Sequence, residues 1–208
     1  MNREQNMITK LAQTALLAAL CFVSFTFLQI KIPMPGGDAT SIHIGNAFCV
    51  LAALLLGGLY GGLAGAIGMS IADLMDPVYI TVAPKTFVLK LCIGLITGLV
   101  AHRIAHINES TDKKYVLKWS VIAAVCGLGF NVIFDPLVGY FYKMWVLGQP
   151  QELASVLAKW STATTFVNAV VSTVLVGLIY NVLRPALSRA GLMGRTEPAC
   201  KKKAPAGQ

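Results

Sequence analysis

Residues 39–72 read ATSIHIGNAFCVLAALLLGGLYGGLAGAIGMSIA and contain no Asp, Glu, Lys or Arg. A single helix over this stretch would be about 51 Å long, because an α-helix rises about 1.5 Å per residue. The hydrocarbon core of a bilayer is only about 30 Å thick. The Gly-rich segment 57–62 is typical of a tight turn. The stretch therefore predicts two short helices, and the abundance of Gly and Ala in the second predicts close approach by a neighbouring helix.

Two more stretches without charge, residues 11–30 and 160–183, flank this one. Only 12% of the chain is charged, whereas a soluble domain usually has about 25%. The stretches show no polar face at helical period, so lipid is the expected solvent. We predict an all-α membrane protein of six transmembrane helices, roughly 8–30, 40–56, 59–75, 84–106, 117–141 and 158–183. Lys10 before an apolar run also resembles a signal peptide, but the run has no small-residue cleavage site and is expected to remain as the first span.

The net charge of +8 is concentrated at the ends of these segments. With six spans and both termini cytoplasmic, 12 of the 17 basic residues lie inside and 5 lie outside or near the outer helix ends, as the positive-inside rule requires. A five-span arrangement gives 11 and 6, so helix length rather than charge favours six. The chain is divided into a transmembrane domain, 1–185, and a basic cytoplasmic tail, 186–208, which is expected to be disordered. The tail is interpreted as a topology signal, not as a nucleic-acid site.

Polar side chains recur four residues apart in three of the predicted helices and cluster at the start of a fourth. Residues at this spacing share one helix face. The residues are Thr86 and Lys90; Asn131 and Asp135; Trp160, Thr164, Asn168 and Ser172; and Thr40, Ser41, His43 and Asn46. One stripe alone is typical of hydrogen bonds between helices. Four stripes in the outer halves of the helices favour a pocket that opens outward and takes a small polar molecule.

Two details of this pocket remain open at the level of sequence. Lys90 and Asp135 are expected to neutralise each other. The aromatic residues near the outer ends are consistent either with pocket walls or with an interfacial belt; they are Tyr140, Tyr142, Trp145 and Trp160. The segment 31–39 joins two spans on the outside and is either a lid or a plain connector.

Motifs for catalysis and for cofactors are absent from the sequence. There is no GxxxxGK[ST], no HExxH and no GxSxG, so neither ATP hydrolysis nor a common hydrolase reaction is expected of this chain. The five cysteines stand alone, and His102 with His106 lacks a third metal ligand. We therefore predict a non-enzymatic protein that binds neither a metal nor another cofactor.

Several short segments resemble the substrate-binding S components of energy-coupling factor (ECF) transporters. Ala15-x-x-x-Ala19 is similar to their small-residue docking motif, although this pattern is common in membrane helices. Residues 40–46 and 54–65 look like their second and third helices. Asp73-Leu-Met-Asp76-Pro77, followed by Ala83-Pro84-Lys85, looks like the connection between their third and fourth helices. The segment 40–90 looks closest to the subgroup handling pyridoxine-like or hydroxymethylpyrimidine-like compounds, and folate, pantothenate, riboflavin and queuosine precursors stay open.

The resemblance implies a high-affinity binding subunit for a vitamin or vitamin precursor in the bacterial plasma membrane. Such a subunit associates with a T subunit and two ATPases, which use the ATP. Ala15 and Ala19 would then dock on the T subunit, and the segment 31–39 would be the gate. The implied substrate ligands are His43, Asn46, Lys90, Asn131, Asp135, Trp160, Thr164 and Asn168. The alternative is a stand-alone secondary transporter of a small polar solute, which would need a coupling-ion site; a membrane enzyme or an assembly subunit is less well supported by the residues.

Overall fold

The computed structural model describes residues 3–189, and the segment 190–208, which holds nearly all of the predicted basic tail, lies outside them. Six α-helices and one β-hairpin form the described part of the chain. Their bounds are α1 Arg3–Phe27, β1 Gln29–Pro33, β2 Ala39–His43, α2 Gly45–Leu56, α3 Gly58–Leu74, α4 Ala83–Gly98, α5 Lys113–Trp145 and α6 Gln151–Arg189. α4 continues into a π-helical turn at Leu99–Ile104.

A β-hairpin occupies the segment between α1 and α2, where the sequence predicts a loop and the first turn of a helix. β1 and β2 are antiparallel, with Gln29 opposite His43 and Pro33 opposite Ala39. Gly36 and Gly37 turn the chain with φ of 80° and 77°, values that favour glycine. The predicted helix start at residue 40 was therefore wrong. A segment without charge can be either a buried strand or a buried helix. Its pairing with β1 is what identifies residues 39–43 as a strand.

The long uncharged stretch does break into two helices. The break is a single residue, Gly57, at φ 93° and ψ 166°, and its N–H donates to the Ala53 carbonyl. α3 begins at the next residue, so the rest of the Gly-rich segment is helical. The remaining glycines serve packing and not the turn.

α3 packs against its neighbours backbone to backbone. A Cβ on Gly94 of α4 would lie 2.2 Å from the Gly62 Cα, and a Cβ on Gly98 would lie 2.2 Å from the Gly58 Cα. Gly61 faces α2 in the same way, with Ala53 as the partner. Two small-xxx-small pairs thus interlock, one on each helix. The predicted close approach of a neighbour to this Gly-rich helix is confirmed.

Four helices among residues 3–189 are long and apolar enough to cross a membrane: Met7–Phe27, Ile80–Ile104, Lys113–Trp145 and Gln151–Leu187. α2 has 12 residues and would be about 18 Å long. Large apolar side chains are exposed on the outside of the bundle, including Leu16, Leu178 and Val182. Polar side chains such as Asn46 and Ser120 are buried inside it. This distribution is that of a protein surrounded by lipid.

Candidate substrate-binding site

A cavity of about 120 Å³ lies under the hairpin, between the hairpin and the ends of α4, α5 and α6. Seven of the eight predicted substrate ligands line it: His43, Asn46, Lys90, Asn131, Asp135, Thr164 and Asn168. The eighth, Trp160, is 49% exposed and lies outside the cavity wall. The structure thus gathers residues from β2, α2, α4, α5 and α6 around one small polar space.

Trp160 does not line the cavity, because a spacing of four does not match the helical repeat; its contact with the substrate stays a prediction. Each step of four residues rotates the side chain by about 40° relative to the preceding one, since the repeat is 3.6 residues. Thr164 and Asn168 face the cavity, and Trp160 above them has rotated out of its lining. Ser172 below them is fully buried on the same side of α6 but lies deeper than the cavity. None of the four aromatic residues considered as walls lines the cavity; Phe25 and Tyr79 do so instead. Burial raises the pKa of the Tyr79 phenol to about 12, so it stays protonated.

Asp135 pairs with Lys85, and the expected pair with Lys90 does not form. The Lys85 Nζ donates to Asp135 Oδ1 at 2.9 Å. Ser161 donates to Oδ2 at 2.8 Å, and Thr165 lies 3.4 Å from the same oxygen. Lys85 and Lys90 are five residues apart, about 7.5 Å along α4, so one carboxylate does not reach both. Asp135 of α5 thus links α4 and α6, and both of its carboxylate oxygens already accept hydrogen bonds from protein groups.

Lys90 lies deeper and contacts α2. Its Nζ donates to Asn46 Oδ1 at 2.8 Å, and its side chain is 7% exposed. Within residues 3–189 no carboxylate lies within 4.0 Å of this ammonium. A buried ammonium that no carboxylate contacts is costly, so a ligand acceptor placed here would be bound favourably.

Asn168 joins α6 to the free edge of β2. Its Oδ1 accepts from the His43 N–H at 2.9 Å, and its Nδ2 donates to the Ser41 carbonyl at 2.9 Å. The side-chain amide thus bonds as the peptide of a third strand would. Thr164 adds a hydroxyl contact with Thr40 at 2.6 Å. These two predicted ligands hold the hairpin in place, and their polar atoms are already used for that purpose.

Two ion pairs hold the hairpin from the other side. Lys143 of α5 pairs with Asp38 of the turn, and Lys31 of β1 pairs with Asp76 beyond α3. The segment 31–39 is therefore fastened to α5 at its turn and to the residue Asp76 at its start. Sequence spacing gives no sign of these pairs, because the partners are 105 and 45 residues apart.

Asp73 is one of several cavity residues that the sequence did not predict, and it carries a charge. It lies near the end of α3 and is 2% exposed. In the sequence, the sign of its place in the cavity was its position as the first carboxylate after the uncharged stretch 39–72. A carboxylate at the end of a Gly- and Ala-rich membrane helix is costly to expose to lipid, so its position predicts that it faces the interior of the bundle.

Three polar atoms at the cavity are buried and have no hydrogen-bond partner among residues 3–189: His43 Nδ1, Tyr79 Oη and Asn131 Oδ1. Buried polar atoms of native proteins nearly always have a partner, so these atoms are candidate contacts for a ligand.

The two alanines of the predicted docking motif lie on the outer surface of α1. Both Ala15 and Ala19 are exposed. The neighbouring Leu17 is buried against α2 and α3 with Ala52 and Ala64. The motif thus faces away from the bundle and is accessible to another membrane protein.

Comparison with known proteins agrees with this architecture. A sequence model described as "ECF-type riboflavin transporter, S component" matches residues 5–185. The solved structure of ThiT from Listeria monocytogenes superposes with a TM-score of 0.65 at 16% identity, covering 87% of this chain and 97% of that one. At this identity the likeness concerns the fold alone.

An uncharacterised protein of Pyrococcus woesei, described by its place in a "gap 3'region", is 34% identical over 76 residues. These residues are 36% of this chain and 49% of that protein, so the chain spans about half the length of the curated relative it matches. The match over residues 5–185 covers nearly the whole bundle and includes every residue of the cavity wall. The chain is a membrane protein that belongs to the S-component family of ECF-type riboflavin transporters.

Proposed function

We propose that this protein is the high-affinity binding subunit for uptake of a water-soluble vitamin or vitamin precursor. Two partner ATPases energise the uptake through a shared transmembrane T subunit, and this chain itself uses no ATP, metal or other cofactor. The observation that carries the proposal is the cavity under the hairpin, where, among residues 3–189, no carboxylate contacts the Lys90 ammonium and three buried polar atoms have no partner. Such a site favours capture of a ligand over lining of an open channel.

The size of the cavity supports a small substrate. Pockets for drug-sized ligands usually measure about 300–1,000 Å³, and this cavity measures about 120 Å³. A compound with one ring is the best fit to the closed hairpin. A larger vitamin such as riboflavin would require the hairpin to move outward.

We propose six crossings of the bacterial plasma membrane with both termini inside. The short α2 does not cross alone, but β2 and α2 in series reach up to about 34 Å, with about 3.3 Å per strand residue and 1.5 Å per helix residue. A strand at membrane depth requires partners for its backbone. β1 on one edge and Asn168 on the other provide them.

Substrate binding is tested on the purified protein in detergent. Thermal-shift screening of water-soluble vitamins and their precursors is followed by calorimetry on each hit. We expect a stoichiometric ligand whose affinity falls about ten- to hundredfold in Lys90→Met, the range for a hydrogen bond to a charged group. Lys159→Met, an exposed lysine on α6, is the matched control and should bind normally. Well-folded protein that binds none of these compounds at micromolar concentration would refute the proposal.

Partner docking is tested separately, with Ala15→Leu combined with Ala19→Leu. We expect normal vitamin binding but loss of copurification with the T subunit and loss of ATP-dependent uptake, because bulky side chains prevent close helix approach. Leu20→Phe is the control, since it enlarges an exposed residue about 100° round the helix from Ala19. Uptake that continues without any ATPase partner would instead identify a stand-alone secondary transporter.

A further inference from the structure

A second hollow lies on the lipid-facing side of the bundle, between α5 and α6. It is a groove of about 470 Å³ and shares no lining residue with the cavity under the hairpin. Its most exposed lining residues are Ile133 of α5 and Phe166 of α6, at 63% and 59%. The lining also includes Gly129 of α5, where an added Cβ would meet nothing within 4 Å. The groove is therefore an open furrow that the described side chains leave unfilled.

The side chains of this groove offer no free hydrogen-bond donor. Nine of its ten described lining residues are apolar or glycine, and the tenth, Thr173, donates its hydroxyl to the Ala169 carbonyl at 2.8 Å. The part of α5 that lines the groove, residues 125–133, lies in a stretch without charge between Lys118 and Asp135. A surface of this kind within a membrane suits hydrocarbon and not a polar ligand.

Two lysines lie on the same side of α5, toward the end of the bundle away from the cavity. Lys114 and Lys118 are exposed, and among residues 3–189 no carboxylate lies within 4.0 Å of either ammonium. Lys118, Val125 and Val132 follow one another at intervals of seven residues, and such an interval returns a helix to within about 20° of the same direction. Val125 and Val132 line the groove, so the lysines continue its line along α5.

The separation between the lysines and the groove matches the depth of one leaflet. Val125 is about 10.5 Å along the helix from Lys118, and Val132 is about 21 Å from it. Half of a hydrocarbon core is about 15 Å thick, so an acyl chain whose phosphate lies beside Lys118 reaches into the groove. Lysine side chains near helix ends extend toward the lipid headgroups, which places both ammonium groups at the depth of the phosphates.

We propose that the groove binds one acyl chain of an anionic phospholipid whose phosphate is held by Lys114 and Lys118. A phospholipid carries an apolar chain and a negative charge on one molecule, in the order and at the spacing that this surface presents. In the proposed orientation the lipid belongs to the inner leaflet, where anionic headgroups attract basic segments. The groove is separate from the substrate cavity, so this inference does not depend on vitamin binding.

Native mass spectrometry of the purified, delipidated protein tests the proposal. Phosphatidylglycerol and phosphatidylcholine with identical acyl chains are titrated separately. We expect one tightly bound phosphatidylglycerol per chain and about 25-fold weaker binding of phosphatidylcholine, because each lysine near an anionic headgroup contributes about fivefold. Equal affinity for the two lipids would overturn the proposal. A dimer that excludes lipid and dissociates in Gly129→Phe would also overturn it, because the occupant would then be a second copy of the chain.

A pair of lysine substitutions tests the headgroup contact. Lys114→Gln combined with Lys118→Gln should weaken phosphatidylglycerol binding about 25-fold, by the same contribution of about fivefold for each lysine. Arg103→Gln combined with Lys113→Gln is the control, since it removes two exposed positive charges from the same end of the bundle. Lys113 points about 140° away from Lys118 around α5. Unchanged binding in the lysine variant, or an equal loss in the control, would overturn the proposal.

A bulky residue in the groove tests the chain contact. Gly129→Phe fills open space and should weaken phosphatidylglycerol binding about tenfold or more, because each CH₂ group kept out of the groove costs about fourfold. Val182→Phe enlarges a side chain of α6 that is 74% exposed and lies outside the groove, so it should bind the lipid normally. Unchanged lipid affinity in Gly129→Phe would overturn the proposal. If that variant does not fold, the lysine variant, which changes exposed side chains alone, decides.

Discussion

Replacing Asn168 with alanine should free the hairpin from α6. The substitution removes the acceptor for the His43 N–H and the donor for the Ser41 carbonyl, both at 2.9 Å and both buried. A buried polar group left without a partner costs about 1–3 kcal/mol. Two such groups give a cost of about 2–6 kcal/mol, and water entering from the cavity reduces it toward the lower limit.

Hydrogen exchange followed by mass spectrometry is the direct assay. Peptides covering residues 29–43 should exchange at least tenfold faster in Asn168→Ala, because about 1.4 kcal/mol corresponds to a factor of ten. Peptides from α3 and α4 should exchange as in the native protein, since their packing does not involve Asn168. The same variant should release a bound vitamin faster.

Ser172→Ala is the matched control on the same helix. Ser172 lies four residues further along α6, is fully buried, and its hydroxyl has no hydrogen-bond partner in the described part of the chain. Its loss should leave hairpin exchange unchanged and should not lower stability. Unchanged hairpin exchange in Asn168→Ala, or an equal increase in Ser172→Ala, would refute the interpretation of Asn168 as a substitute for a third strand.

Three further changes test the packing and the cavity wall. Lys85→Met leaves Asp135 as a buried charge without its cation and should destabilise the protein by about 3–5 kcal/mol in thermal unfolding, whereas the exposed Lys159→Met should not. Gly94→Ala places a Cβ 2.2 Å from the Gly62 Cα and should lower the unfolding temperature, with a cost of about 1–3 kcal/mol or more; an equal effect of Gly129→Ala, which meets nothing within 4 Å, would contradict this. Trp160→Ala should leave vitamin affinity within about twofold by calorimetry, because surface contacts outside a site contribute little, and a larger loss would return Trp160 to the cavity wall.

The sequence was a good guide to the helices because their signals are local. Absence of charge, helix length and glycine position are properties of short segments, and they correctly separated α2 from α3 and marked α3 as a close-packing helix. The stripes at a spacing of four located most of the cavity wall, since a helix brings residues three and four apart onto one face. The spacing of four was a less accurate guide at the ends of a stripe, because Trp160 lies outside the cavity wall.

The tertiary structure decided every interaction that joins distant segments. Residues 39–43 are identified as a strand only by their pairing with β1. The position of α4 beside α5 determines that Asp135 pairs with Lys85 and not with Lys90. Asp73 became a cavity residue only when α3 was placed with its C-terminal end beneath the hairpin. Helix formation is governed by neighbours in the chain, whereas partner choice depends on rotation and depth, which are set when the helices pack. The sequence therefore determined which segments form helices, whereas packing determined which polar side chains meet between the helices.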